Sequence, residues 1–391
     1  MKFTHTLYFY ALLAKAMVQE WKKNARTARH LIAQGWHVYR ASPPRAFVAW
    51  ALTHCLIPNY RLKTKIALGR PSPTIFRKFH DTIQADEAWC SPAGVTLRQQ
   101  PRYLLMRDGA MGDVLMLTPV VKALHARHGG DIAIDIATHA PAVFDHNPYV
   151  RAVLNPKLLG RGVHTYDVVV DLNDAYERSP NTHPVKAYGK WVLGMAEFEP
   201  KLELHPTHKD VALIDAVVAE IGGPYLVVHH FRHEWPNREI DALVWDSLLD
   251  GLAQQGQFKI VFVGVARDHA EIRHANFLDH RGRYTLQQLS VLIAKSHGFV
   301  GGDSGPSHIA ATTDAPMCVF YTCAHHEARK PLRQGGRFLP LTPELDCYGC
   351  LTRSVVARPG YFCARGDNAC VRAFDMSRIT PRVLNFFEGK S

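Results

Sequence analysis

Three groups of side chains in this 391-residue chain have the types and spacing that chemistry needs. The first is Gly301-Gly302-Asp303-Ser304-Gly305-Pro306-Ser307-His308, which follows the apolar run Gly298-Phe299-Val300 and precedes the small-residue segment Ile309-Ala310-Ala311-Thr312. Glycines let the backbone approach a ligand closely, and Pro306 suits a first helical turn, where its missing N–H has no partner. Free N–H groups and the positive end of a helix dipole then favour an anion of the phosphate kind. A plain Asp/Ser helix cap is the competing reading. The second group is Asp108-Gly109-Ala110-Met111-Gly112-Asp113, between the strand-like Tyr103 to Met106 and an amphipathic helix from Val114 to His128. Two strand-to-helix turns of this kind predict two α/β domains that face each other across a cleft, since open parallel sheets bind ligands at the carboxyl ends of their strands.

The third group is Cys347-x2-Cys350-x12-Cys363-x6-Cys370, which holds four of the eight cysteines. A tight pair and a looser pair suit a closed tetrahedral site for zinc, or alternatively iron; such a site is structural, because four thiolates leave no open position. Unliganded reduced thiols are the alternative. Cys55, Cys90, Cys318 and Cys323 read as core thiols.

Gly112-Asp113-Val114-Leu115, followed by Thr118-Pro119-Val120 and Ala123-Leu124, resembles the N-terminal signature of glycosyltransferase family 9, the bacterial heptosyltransferases. Asp303 to Ala310 resembles the second signature of that family, and Asn147-Pro148 and Trp235-Pro236 fall at matching places between roughly Arg102 and Arg378. The resemblance implies a GT-B-type fold and inverting transfer of a heptose or related sugar from a nucleotide-diphosphate donor, ADP-heptose above all. The implied acceptor is a hydroxyl of the lipopolysaccharide core or another glycan, with a protein acceptor as the alternative. It also implies that Asp113 is the general base, that Asp303 meets donor-sugar hydroxyls, and that Ser304 and Gly305 meet phosphate. Gly109, Met111 and Gly112 would form the acceptor-side loop, His308 could add a donor, and the chemistry would need no catalytic metal. One departure stands out. Where the family commonly carries a lysine two positions before Trp-Pro, this chain has His233, so that His233, Arg232 or Arg238 must supply the charge for the diphosphate. Asp268, in Gly264 to Asp268, sits where the family contacts the ribose.

The elements that must position these residues follow from pattern. Residues 1–98 read as a helical basic extension, with Leu7, Tyr10, Ala14, Met17 and Trp21 on one stripe and Lys22, Lys23, Arg26 and Arg29 after it. Residues 99–205 read as a Rossmann-like acceptor domain, with Ile132 to Ile136, Val150 to Leu154 and Tyr166 to Leu172 as strands and Asn173-Asp174 at the end of the last. Residues 206–375 read as a second Rossmann-like domain for the nucleotide sugar, containing the cysteine knuckle over 347–370. Residues 376–391 hold a C-terminal helix, Pro381 to Phe387, expected to pack back on the first domain.

A net charge of +11 points to an anionic partner: nucleic acid, an acidic membrane surface, or a phosphorylated or carboxylated substrate, which for the resembled family would be an anionic glycan or glycolipid. The apolar run Ala46 to Pro58 is too short to cross a bilayer, which predicts a cytoplasmic protein with peripheral contact to the inner membrane. Two readings lie outside this class. A Rossmann oxidoreductase needs Gly-x-Gly-x-x-Gly, which Asp108 to Asp113 does not supply. A metal-knuckle nucleic-acid binder has no use for two anion-binding turns and would show aromatic stacking motifs, which are not evident.

Overall fold

The computed structural model describes residues 75–78, 100–156, 166–173, 175–176, 182–195, 197–230, 235–265, 272–333, 335–353, 363 and 365–389. Two all-parallel sheets make up its frame. The first has five strands in the order β1-β5-β2-β3-β4: β1 Ile75–Lys78, β2 Arg102–Met106, β3 Ala133–Ala137, β4 Ala152–Leu154 and β5 Val168–Asp171. The second has six, in the order β11-β10-β9-β6-β7-β8: β6 Tyr225–His229, β7 Lys259–Phe262, β8 Phe277–Asp279, β9 Gly298–Gly302, β10 Met317–Phe320 and β11 Phe338–Leu341. Near-continuous apolar strands of this kind belong in sheets covered on both faces.

Strand alternation divides the core. Tyr103, Leu105, Ile134, Ile136, Val168 and Val170 point to one face of the first sheet and join Val227, Val261, Phe299 and Val319 of the second in a single cluster. That shared cluster packs the two halves together. Leu226, Val228, Phe262, Val300 and Phe320, on the other face of the second sheet, pack under helix α5 (Ala242–Gln255), whose Trp245 is fully buried. Leu104, Met106, Ala137 and Val169 form a smaller cluster on the remaining face of the first sheet.

Three expectations change. The helix expected from Val114 to His128 is two helices, α1 Met111–Leu115 and α2 Thr118–Arg127. Pro119 has no N–H for the Leu115 carbonyl, so the Thr118 hydroxyl donates to it instead at 2.8 Å. The first sheet begins before residue 99: Ile75–Lys78 pairs with β5 in parallel register, Ile75 opposite Val168, so the 1–98 segment is not helical throughout. Its remaining residues lie outside the described ones.

The C-terminal helix, α10 (Met376–Phe387), starts earlier than expected, capped by Asp375, and continues through Pro381. It packs on α5 and β11 of the second half rather than back on the first. The reason is its apolar face: Ile379, Val383 and Phe387 lie on one side and enter the core beneath the second sheet. Gly251 of α5 and Gly298 of β9 leave room for Thr380 and Phe387.

The remaining helices are α3 Pro184–Leu193, α4 His208–Ile221, α6 Leu286–Ala294, α7 Gly305–Ala310, α8 His326–Arg329 and α9 Cys350–Arg353. A capping box closes the start of α4 (Thr207 with Asp210) and of α6 (Thr285 with Gln288). Among the described residues no helix is long and apolar enough to cross a membrane.

Candidate functional site

The carboxyl ends of strands from both sheets open into one cleft of about 790 Å³. From the first half it is lined by Ala110, Met111, Gly112, Asp113 and Tyr176; from the second by His229, Trp235, Arg238 and Asp303 to Pro306, among others.

Asp113 lies in the first turn of α1, but the cap of that helix is Ala110 and no side chain caps it. The carboxylate is engaged elsewhere. Its Oδ1 accepts a hydrogen bond from the Tyr176 hydroxyl at 2.6 Å, and its Oδ2 is 3.3 Å from Nη2 of the buried Arg107. Arg107 also donates to the Leu172 carbonyl and lies over the Tyr176 ring at 5.1 Å, which ties the ends of β2 and β5 together. Gly109 crosses directly above this pair. A Cβ there would stand 3.0 Å from Asp113 Oδ2 and 3.1 Å from Arg107 Nη2, so only glycine fits without displacing them. Asn173, at the end of β5, accepts the Asp108 N–H at 2.7 Å and so shapes the turn instead of facing the cleft.

The opposite turn leaves β9 at Gly302 and enters α7. Ser304 stands at the N-cap without a side-chain cap bond; its Oγ donates to the Gly302 carbonyl at 3.3 Å and lies 3.2 Å from His229 Nδ1. Ser307, buried, donates to the same carbonyl at 2.5 Å. Arg238 pairs with Asp303 Oδ2 at 2.9 Å and also donates to the Asp303 carbonyl, with its guanidinium 5.5 Å from the centre of the Trp235 ring. Burial opposes the charge on Arg238, but Asp303, Cys323, Tyr176 and Asp113 together outweigh it and hold the pKa above its ordinary value.

The two turns touch. A Cβ on Gly112 would lie 3.1 Å from His308 Cδ2 and 3.2 Å from Gly305 Cα, and a Cβ on Gly305 would lie 2.5 Å from Met111 Cε. His308 therefore packs on Gly112. Burial pushes its imidazole below the usual range despite Asp303 and Asp113 nearby, which keeps it neutral. Beyond the turn, Val263, Val265, Leu286, Leu289, His280 and Tyr284 line an apolar slot in the same cleft.

Of the residues picked from the sequence, Gly109, Met111, Gly112, Asp113, Arg238, Asp303, Ser304, Gly305 and His308 gather at this cleft. Arg232, His233 and Asp268 lie outside the described residues. Sequence reasoning missed Arg107, Tyr176, His229 and Arg329. His229 closes an apolar strand, and Tyr176 and Arg329 sit in segments without a motif, so only the topology brings them here.

Cys350 and Cys370 pack with Cys323 in a small cluster beside the Asn237 turn. Burial raises both thiols, Cys370 to about 12, and the neighbouring cysteines add to the effect. For Cys363, burial works upward, but the backbone N–H groups of the 365–368 turn outweigh it and hold the thiol below its usual range. Among the described residues no three His, Cys, Asp or Glu side chains converge as a ligand set.

Comparison with known proteins agrees with this geometry. No curated protein matches the chain. The fold is similar to that of a family 9 glycosyl transferase from Veillonella parvula (11% identity, TM-score 0.58, covering 75% of this chain and 99% of that one). It is also similar to TibC, an iron-containing dodecameric glycosyltransferase from enterotoxigenic E. coli (15%, 0.58, 75% and 80%), a protein also solved with ADP-D-beta-D-heptose. A third is the ADP-heptose lps heptosyltransferase II of E. coli (15%, 0.53, 74% and 99%). At these identities the likeness establishes the two-sheet GT-B-type fold. Residues 186–353, which include the second glycine turn at Asp303 to His308, match the model of glycosyltransferase family 9 (heptosyltransferase), in line with the resemblance that turn carries.

Proposed function

We propose that the protein is an inverting glycosyltransferase that moves a heptose or related sugar from an ADP-linked donor to a hydroxyl of a lipopolysaccharide-core or other anionic glycan. The observation that carries this reading is the meeting of Asp113 and the Ser304-Gly305 turn, which follow strands of different sheets, in one cleft. The acceptor oxygen attacks the anomeric carbon as its bond to the diphosphate breaks on the opposite face. Asp113 takes the acceptor's proton, and the diphosphate leaves against Ser304, Gly305 and the guanidinium of Arg238. The apolar slot at Val263, Leu286 and Leu289 suits the base of the nucleotide. The charge of +11 suits an anionic glycolipid at a membrane face.

The four cysteines are proposed as a structural metal site. What supports the reading is the spacing of the four cysteines and the iron-containing neighbour TibC; the four thiols do not converge here, so binding would have to draw them together.

A thermal-shift panel of ADP-, GDP- and UDP-sugars, NAD and oligonucleotides tests the reading. ADP-D-β-D-heptose should raise the melting temperature, as ligand bound only to the native state does. A shift with NAD or oligonucleotide and none with any nucleotide sugar would sink it.

A further inference from the structure

Tyr176 and Arg329 bear no motif, yet both reach the centre of the cleft. Tyr176 follows β5 of the first half, and its hydroxyl donates to Asp113 Oδ1 at 2.6 Å. Arg329 ends α8 of the second half, and its guanidinium carbon lies 4.7 Å from the centre of the Tyr176 ring. Arg107, from the first half, lies 5.1 Å from the same ring and also contacts Asp113 Oδ2. The ring of Tyr176 is thus held by cations from both halves, and its hydroxyl is delivered to one oxygen of the carboxylate.

On the reading that Asp113 is the general base, we propose that Tyr176 is the positioning residue that sets its orientation. Arg329 makes that orientation depend on the second half of the molecule. The reason is geometric. A carboxylate on a short helix turns about χ2 with little resistance, because that torsion is broad rather than three-welled. With Tyr176 on Oδ1 and Arg107 on Oδ2, both oxygens are engaged and the carboxylate plane is fixed toward the cleft. A proton-accepting group must lie within hydrogen-bond reach of the hydroxyl it serves, and small misplacements there cost large factors in rate. Since Arg329 arrives on the donor-side half, its cation–π contact with Tyr176 forms when the halves meet. The base is then aligned only when the donor-binding half is in place.

The test uses full-length protein with ADP-D-β-D-heptose and measures ADP release, with water as the acceptor. Tyr176→Phe keeps the ring between the two arginines and removes only the hydroxyl. It should lower the maximal rate about 10- to 100-fold and leave ADP affinity, measured by calorimetry, unchanged. Introduced into Asp113→Asn, it should cause no further loss, because its effect passes through Asp113. Arg329→Gln should lower the rate by a smaller factor, and that loss too should vanish in the Asp113→Asn background. Normal turnover by Tyr176→Phe would overturn the proposal. So would an undiminished loss in the Asp113→Asn background, which would mean that Tyr176 acts on the substrate directly. Failure of the base reading looks different: Asp113→Asn alone would then release ADP at the normal rate, and a loss in Tyr176→Phe beside it would overturn the positioning role as well.

Discussion

Asp113 and Gly305 face each other across the cleft, and replacing them should separate proton transfer from nucleotide binding. Asp113→Asn keeps an acceptor for the Tyr176 hydroxyl but removes the negative charge beside Arg107 and the basicity needed to take a proton. Sugar transfer should fall by roughly 10²- to 10⁴-fold, with nucleotide affinity little changed. Gly305→Val should do the reverse. A Cβ at Gly305 meets the flexible end of Met111, 2.5 Å from Cε, and stands 3.7 Å from the Gly112 N, so a valine displaces the Met111 side chain and fills the turn where the diphosphate is proposed to sit. Blocking the close approach of the phosphate in this way should weaken nucleotide binding by roughly 10- to 100-fold. Calorimetry with ADP and a transfer assay on the same two variants will show whether the effects divide this way. Loss of nucleotide binding in Asp113→Asn would mean that the carboxylate serves the donor. Both turns were legible in the sequence because glycine, aspartate and proline carry local signals. The partners Tyr176 and Arg107 were not, because an aromatic ring or an arginine is equally at home in a core or on a surface until the sheet order sets it beside a carboxylate.

At the scale of elements, the apolar strands β2, β5 and β9 could be read directly, since their signals are local. The misses were nonlocal. The break before Thr118 depends on which carbonyl Pro119 leaves unserved, and the edge strand Ile75–Lys78 takes its place in the sheet by pairing with β5, far along the chain. The destination of α10 depends on room left by glycines on other elements. The junction between the halves is also nonlocal and has a pH signature. His183 caps α3, accepting the Val185 N–H on Nδ1, while its Nε2–H donates to the Lys330 carbonyl of the second half at 2.9 Å. Burial lowers its pKa to about 3, with the bond to Lys330 working the other way. The folded state therefore binds fewer protons than the unfolded chain between about pH 6.5 and 3. Stability is full above that window and is lost as the pH falls into it, by roughly 1.4 kcal/mol per unit from this group. At pH 7.5 His183→Gln should melt lower than the parent, because the glutamine amide can serve the Lys330 carbonyl but leaves the Val185 N–H at the start of α3 without its cap. At pH 5 the gap should narrow or reverse, because glutamine has no proton to refuse. Parallel melting curves for the two proteins at both pH values would show instead that His183 titrates freely.

For the molecule as a whole, the question is what holds the donor-side loops in place where sheet packing does not reach. The Asn237 carbonyl accepts hydrogen bonds from the Thr322 hydroxyl at 2.7 Å and from the Cys370 thiol at 3.7 Å, and Arg238 is the next residue along. Leu351, one residue after Cys350, lines the cleft itself. The cysteine segment therefore abuts the turn that presents Arg238 to Asp303, and a metal bound by Cys347, Cys350, Cys363 and Cys370 would brace both. Such a site binds in the folded state alone, so its binding free energy adds to folding stability. Elemental analysis of protein purified without added metal should find about one zinc or iron per chain. Cys350→Ser should lose it and melt lower. Its rate at saturating donor should hold near that of the parent, since Asp113 and the two groups in direct contact with its carboxylate, Tyr176 and Arg107, lie in the other half. Its affinity for nucleotide should weaken with the loosened Arg238 turn. Far less than one metal per chain, together with four freely titrating thiols, would remove the brace. Cys350→Ser should then change neither melting nor nucleotide affinity, and packing around Asn237 would have to hold Arg238 unaided.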